Sequence, residues 1–391
     1  MTLTAPIPSA PYAGVPGGEM LFIEPGQRYA SKPPRLIGFE TSDTDLVRAF
    51  QDATSRRQVD CPPEAVMLYR DAIVMDGSYV LGRDGIAVAE SYYNVKVTAE
   101  LVARQHAQLA RIAAGDVASL PRSGPPVVAL FLQDCNNFGH VLTEHLPRLL
   151  HLAALGVRQI RLLLPKAAEA FRAQIGFVLD ALGIQAEPVA CAMGTILRVP
   201  ALHFVSLVGQ GWFKSPTVLR MFARLREAAP ASPGVEQLYV ARPDAGRRVV
   251  TNAAMAAEMV TAAGFTVVEP SRLPFAEQVA LFAGTRRVVG PMGAALTLTG
   301  AMAPGGRVGM IGPGYCDYFY WDLACLAGLG FDWAFTAPVE RFSMALLEQE
   351  MTIPPALLRQ LLEGKAGIRP DPRRARARLR VTGQAPWTLE S

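Results

Sequence analysis

Three stretches of the sequence gather residue types that can hold an anion or move a proton. The first is Gly290-Pro291-Met292-Gly293-Ala294-Ala295-Leu296-Thr297, which follows the apolar pair Val288-Val289. Small side chains let a ligand approach the backbone, and the first turn of a helix offers unpaired N–H groups to a diphosphate. The same glycines serve equally for a tight turn and close packing. Their spacing fits neither the dinucleotide-binding G-x-G-x-x-G nor a phosphate loop ending in lysine. The second stretch is Y-V-A-R-P-D-A-G-R-R, with Arg242 just after an apolar run and Arg247 and Arg248 in the loop beyond. Three guanidiniums at the end of a strand suit phosphate through forked donors, or else form an exposed basic loop. Between these stretches, Glu277 falls in the first turn of the helix F-A-E-Q-V-A-L-F. Its carboxylate can accept from a ribose or merely complement the helix dipole.

The third stretch is N-N-F-G-H-V-L-T-E-H-L-P-R-L-L-H-L, residues 136–152. At roughly 100° per residue, His140, Glu144, Arg148 and His151 fall within one quadrant of a helix. Leu142, Leu146, Leu149, Leu150 and Ala153 occupy the other side and are expected to face a sheet. The polar stripe reads either as a proton-transfer and anion-binding set or as the solvent side of an amphipathic helix. His145 lies off the stripe and reads as structural, and Pro147 is expected to kink the helix. Asp134, at the end of the preceding apolar run, is a third candidate for acid–base work. No set of His, Cys, Asp and Glu has the spacing of a metal site, and no D-x-D element stands out, so no metal is expected.

The elements that must position these residues follow from the apolar runs. Residues 1 to about 35 are rich in Pro and Gly and read as an irregular arm. From Val66 to Val97, short β-type runs separated by turn signals read as a small antiparallel meander. From Val127, strands alternate with helices: V-V-A-L-F-L, a helix over 138–155, I-R-L-L-L-P, a helix over 167–182, H-F-V-S-L, and a helix over 217–229. After the linker P-A-S-P-G a second such series begins with Q-L-Y-V-A-R and runs to R-V-G-M-I-G-P. The expected fold is therefore α/β, with two parallel-sheet domains facing a cleft and a small N-terminal β-rich extension. The expected boundaries are 1–122 for the arm and meander, 123–232 and 233–340 for the two sheet domains, and 341–391 for a C-terminal helix and basic tail.

The 391 residues exceed one core's usual reach, and half are apolar while 18% are charged, which excludes disorder as the main state. A formal net charge of +4 is too small to imply a nucleic-acid partner. The basic residues concentrate in Arg369–Arg380, a tail rather than an aromatic-interleaved surface. That tail reads as solvated, or as a contact for an anionic membrane surface or a polyanionic glycan. Five scattered cysteines without a CxxC pair suggest free thiols in a reducing cytoplasm. The sequence starts without a signal-peptide pattern and contains no apolar run of about 20 residues. It is accordingly expected to be cytoplasmic, with peripheral attachment at the inner face of a membrane as the role open to the tail.

Taken together, N-F-G-H-V-L-T-E-H-L-P-R-L and the later pieces resemble glycosyltransferase family 61, including bacterial proteins of capsular polysaccharide biosynthesis. The later pieces are Y-V-A-R-P-D-A-G-R-R-V-V-T-N, F-A-E-Q-V-A-L-F, V-V-G-P-M-G-A-A-L-T and P-G-G-R-V. The resemblance implies a GT-B-like pair of Rossmann-type domains and inverting transfer of a sugar from a nucleotide donor to a glycan hydroxyl. The nucleotide sugar would be a co-substrate, and neither a cofactor nor a metal would be needed. His140, Glu144 and Arg148 match the first motif; Arg242, Arg248, Asn252, Glu277, Gly290, Gly293 and Thr297 match the later ones. In this picture His140, then Glu144, then Asp134 are candidates for the base that activates the acceptor. Arg242, Arg247 or Arg248 and the amides of Gly293, Ala294 and Ala295 would hold the diphosphate, with Arg148, Asn252, Glu277, Gly290 and Thr297 completing the donor side. Met292 stands where the family has a histidine, Leu298 where it has an asparagine, and Ala253 where an acidic residue is common. These exchanges keep open an alternative, a related protein that binds or assembles glycans without turnover. A pyruvyl or phosphosugar transferase of similar fold is a further rival.

Overall fold

Glu64–Met75 is buried at nearly every position, so it must be covered on both faces and cannot sit in a peripheral hairpin. In the computed structural model, which describes residues 18–92, 98–132, 135–210, 213–242 and 248–364, this strand lies inside a large mixed sheet. The order is Gly18–Glu24, Glu64–Met75, Ile196–Val205, Val127–Ala129, Gln159–Pro165 and Gln185–Cys191. The first two pairings are antiparallel and the rest parallel. The meander is thus one flank of the same sheet as the β/α run, with Val66 opposite Val205 and Met75 opposite Ile196. Its turn carries positive φ at both Asp76 (56°) and Gly77 (77°), as an Asp-Gly hairpin requires. The segment expected as an irregular arm supplies the edge strand Gly18–Glu24.

The chain divides into two units: described residues of 1–27 and 61–210 form the first, and those of 28–60 and 211–391 the second. These bounds differ from the sequence-based ones at both ends. Residues 28–60 belong to the second unit because Arg35–Ile37 pairs in parallel with Gly330–Phe335. Helix Pro216–Ala228, expected in the earlier domain, also belongs there. Phe222 packs over Gly300, where a Cβ would collide with its ring, and Arg226 donates to the carbonyls of Ala301 and Met302 at 3.2 and 3.3 Å.

The second unit's sheet is wholly parallel, in the order Thr266–Val268, Gln237–Val240, Arg287–Pro291, Arg307–Gly312, Gly330–Phe335 and Arg35–Ile37. Its amino-end edge is a structural clamp. Asp332 takes paired hydrogen bonds from Arg35 (2.8 and 2.8 Å) and from Arg307 (2.7 and 2.5 Å). Arg287 donates to the carbonyls of Leu361 and Leu362 at the end of helix Pro355–Glu363. Each unit is mixed α/β with parallel strands and a core of its own.

Asp322 is buried in the second unit, accepts from the Tyr29 hydroxyl and from the Lys214 amide (2.8 Å), and is pushed up to about 6 by desolvation. Its folded value lies above the ordinary carboxylate value of 3.8, so between about pH 4 and 6 the folded chain holds a proton that the unfolded chain has lost. This group therefore costs stability progressively as pH rises through that window. Urea unfolding of Asp322→Asn is expected to lose that part of the pH slope, and an unchanged slope would show that Asp322 does not titrate there. Among the described residues no helix is long and apolar enough to cross a membrane, and all five cysteines are free thiols.

Candidate active site

The first unit carries its candidate residues on one irregular helix over 138–154. Asn137 caps it by accepting from the Gly139 amide at 2.8 Å. Pro147 has no N–H to give to Thr143, and the helix answers with a widened turn rather than a clean kink. Val141–His145 forms a π turn, with the Leu146 amide reaching back to Val141, and Leu146–Arg148 tightens into a 3₁₀ turn. Residues 141–149 are all buried, so the helix has no solvent-facing stripe.

The four residues of the expected quadrant separate into three surroundings. His140 Nδ1 lies 2.9 Å from Glu144 Oε1, with the imidazole partly exposed (28%) and the carboxylate nearly buried (10%). Arg148, placed at the donor by sequence, is wholly buried and donates Nη1 to the Leu130 carbonyl at 2.5 Å and Nη2 to the Val205 carbonyl. His151 is buried against Glu64, Nε2 to Oε2 2.5 Å. His145 is fully buried, and desolvation pushes it down to about 3, so it stays neutral. Asp134 lies outside the described residues.

In the second unit the strand order places Gln237–Val240 between Thr266–Val268, which follows it in sequence, and Arg287–Pro291. The connections leave on opposite sides here, so the carboxyl ends of strands 237–240 and 287–291 flank a topological switch point, where open parallel sheets bind ligands. Gly290 allows the two strands to meet: a Cβ there would stand 2.9 Å from Val240 Cβ and 3.0 Å from its carbonyl oxygen. Arg242, two residues past the end of its strand, donates Nη1 to the Met292 carbonyl at 2.7 Å. Its guanidinium fills the space that a side chain at Gly293 would take. Arg248 follows with its backbone in the left-handed region (φ 58°) and donates to the Tyr315 hydroxyl at 3.0 Å. Burial first, then the like charge of Arg248, lower the Arg242 pKa. Two guanidiniums at one switch point suit an anionic ligand through forked donors.

Residues 138–309 match the family model described as Glycosyltransferase 61. This stretch is a glycosyltransferase 61 domain. The protein is accordingly a glycosyltransferase enzyme. A comparison with curated proteins gave no match. The matched stretch begins at the first residue of the irregular helix, includes His140 and Glu144, and ends in strand Arg307–Gly312 after the switch-point residues.

Within the glycosyltransferase 61 domain the other candidates take varied places. Asn252 binds the backbone of Ile353 twice, Nδ2 to the carbonyl at 2.8 Å and Oδ1 from the amide at 2.9 Å. Glu277 is exposed in the first turn of helix Phe275–Gly284. Ala294 and Ala295 open a 3₁₀ helix, Ala294–Ala301, and are partly exposed, whereas Thr297 is buried and its hydroxyl has no hydrogen-bond partner among the described residues. Met292 and Leu298 are both fully buried, so these two departures from the family pattern are packed in the interior. Arg247 and the Arg369–Arg380 tail lie outside the described residues. Among the described residues no group of three or more His, Cys, Asp or Glu could hold a metal ion. Tyr315, which sequence reasoning passed over, stands in the loop after strand Arg307–Gly312; a tyrosine directly beyond an apolar strand and a Pro-Gly turn was the available signal.

Proposed function

We propose that this glycosyltransferase moves a sugar from a nucleoside-diphosphate donor to a hydroxyl of a glycan, with inversion, in the synthesis of capsule or other cell-surface polysaccharide. In this reading it is a GT-B-like enzyme whose second unit handles the nucleotide and whose first unit handles the acceptor. The observation that carries it is the pairing of Arg242 and Arg248 at the switch point, beside the glycine that makes room for Arg242. Glu144 Oε1 stands 2.9 Å from His140 Nδ1, and in this scheme the imidazole takes the acceptor's proton at Nε2. The deprotonated oxygen attacks the anomeric carbon as the bond to the diphosphate oxygen breaks, and the departing charge falls to Arg242, Arg248 and the amides of Gly293 to Ala295. A divalent metal has no required part in this scheme.

Calorimetric titration with a panel of nucleoside diphosphates tests the donor site. At least one is expected to bind, and Gly293→Ala is expected to weaken it about 10- to 100-fold, the cost of displacing one charge-assisted donor of about 1.5–3 kcal/mol. The new methyl meets only the mobile end of Arg242, so the unfolding midpoint should hardly move. Unaltered nucleotide affinity in Gly293→Ala would remove the switch point from the donor site.

A further inference from the structure

We infer that Tyr315 is a positioning residue of the donor site, its neutral phenol oxygen setting the Arg248 guanidinium for the diphosphate. The inference rests on the function proposed above but concerns a residue beyond the family match, which ends at residue 309. Arg248 and Arg242 repel one another, and free rotation would carry the Arg248 side chain away. Its backbone already holds a left-handed conformation that is unfavourable for a non-glycine residue, and such strain persists where surrounding contacts over-determine it. The named contact is the hydrogen bond from Arg248 Nη1 to the Tyr315 hydroxyl at 3.0 Å.

Tyr315 is itself well anchored. It is almost wholly buried, its amide donates to the Pro313 carbonyl at 2.8 Å, and the neighbouring Gly314 carbonyl accepts from Glu340 at 2.7 Å. Its ring packs edge-on with Phe342, centroids 5.2 Å apart. Burial raises the hydroxyl's pKa, so the group remains uncharged. That neutrality matters to the chemistry. A carboxylate in this place would bind Arg248 more strongly, but it would cancel the positive charge and compete with phosphate. A phenol orients the guanidinium and leaves its charge available.

A double-mutant cycle on nucleoside-diphosphate binding tests this, using the diphosphate that binds the unaltered protein most tightly. Tyr315→Phe keeps the ring and its packing, and is expected to raise Kd about tenfold with the acceptor KM and unfolding midpoint unchanged. In the Arg248→Ala background the same change is expected to add nothing. Wild-type affinity in Tyr315→Phe overturns the inference, as does an equal loss with and without Arg248. If Arg248→Ala also binds normally, or if no diphosphate binds the unaltered protein, the donor-site reading fails and the role of Tyr315 fails with it.

Discussion

His140→Ala is expected to lower kcat about 10²- to 10⁴-fold, the usual contribution of a positioned general base, with the unfolding midpoint close to that of the unaltered protein. His140 occupies the first turn of the motif helix and is partly exposed, so its removal empties little core. Glu144→Gln is expected to fall less, about tenfold. An amide oxygen can still accept from Nδ1 and hold the ring, but it cannot stabilise the imidazolium formed when the acceptor's proton arrives. Because the two act as one unit, the double variant should be little slower than His140→Ala alone. Initial rates with saturating donor and acceptor decide the matter. Full turnover by His140→Ala would hand the base to another group, and a double variant whose losses multiply would separate Glu144 from His140.

The sequence made most of the parallel strands legible, because each is a short apolar run bounded by turn residues and followed by a helix. Gln237–Val240, Arg287–Pro291 and Arg307–Gly312 fall where the pattern places them. Strand Gln185–Cys191 was not legible: it is a half-exposed edge strand with Pro188 in its middle, tolerable there because an edge needs fewer donors. Nor was the interleaving of the two units, which hangs on a three-residue strand, Arg35–Ile37, pairing with one almost 300 residues away. No local period encodes such a pairing. The helical wheel over residues 138–154 succeeded for its first turn, where His140 and Glu144 meet, and then lost its phase. A π turn followed by a 3₁₀ turn changes the angle per residue, and the cause, Pro147, was visible even though the consequence was not. Asn252 illustrates a different limit. Its two bonds to Ile353 join residues 101 apart, which a motif match cannot distinguish from a ligand contact.

Arg148→Ala is expected to be strongly destabilising, by about 2–6 kcal/mol, because it removes the guanidinium's hydrogen bonds to two buried carbonyls, at about 1–3 kcal/mol each. Those carbonyls belong to Leu130 and Val205, at the carboxyl ends of the adjacent parallel strands Val127–Ala129 and Ile196–Val205. The planar fork bridges both at once while its face lies 5.1 Å from the Phe204 ring centre. Lysine offers one compact charge in place of two fixed donors, so Arg148→Lys should recover only part of the loss. Arg148→Met restores bulk without any donor and should resemble alanine more than lysine if hydrogen bonding is what matters. Urea unfolding of the four proteins, followed by rate measurements at a temperature where each remains folded, separates a structural role from a donor-binding one. A fastening role predicts large shifts in midpoint and near-normal donor KM in the folded fraction. An unchanged midpoint with a raised donor KM would put Arg148 at the substrate, as its place in the sequence motif suggests.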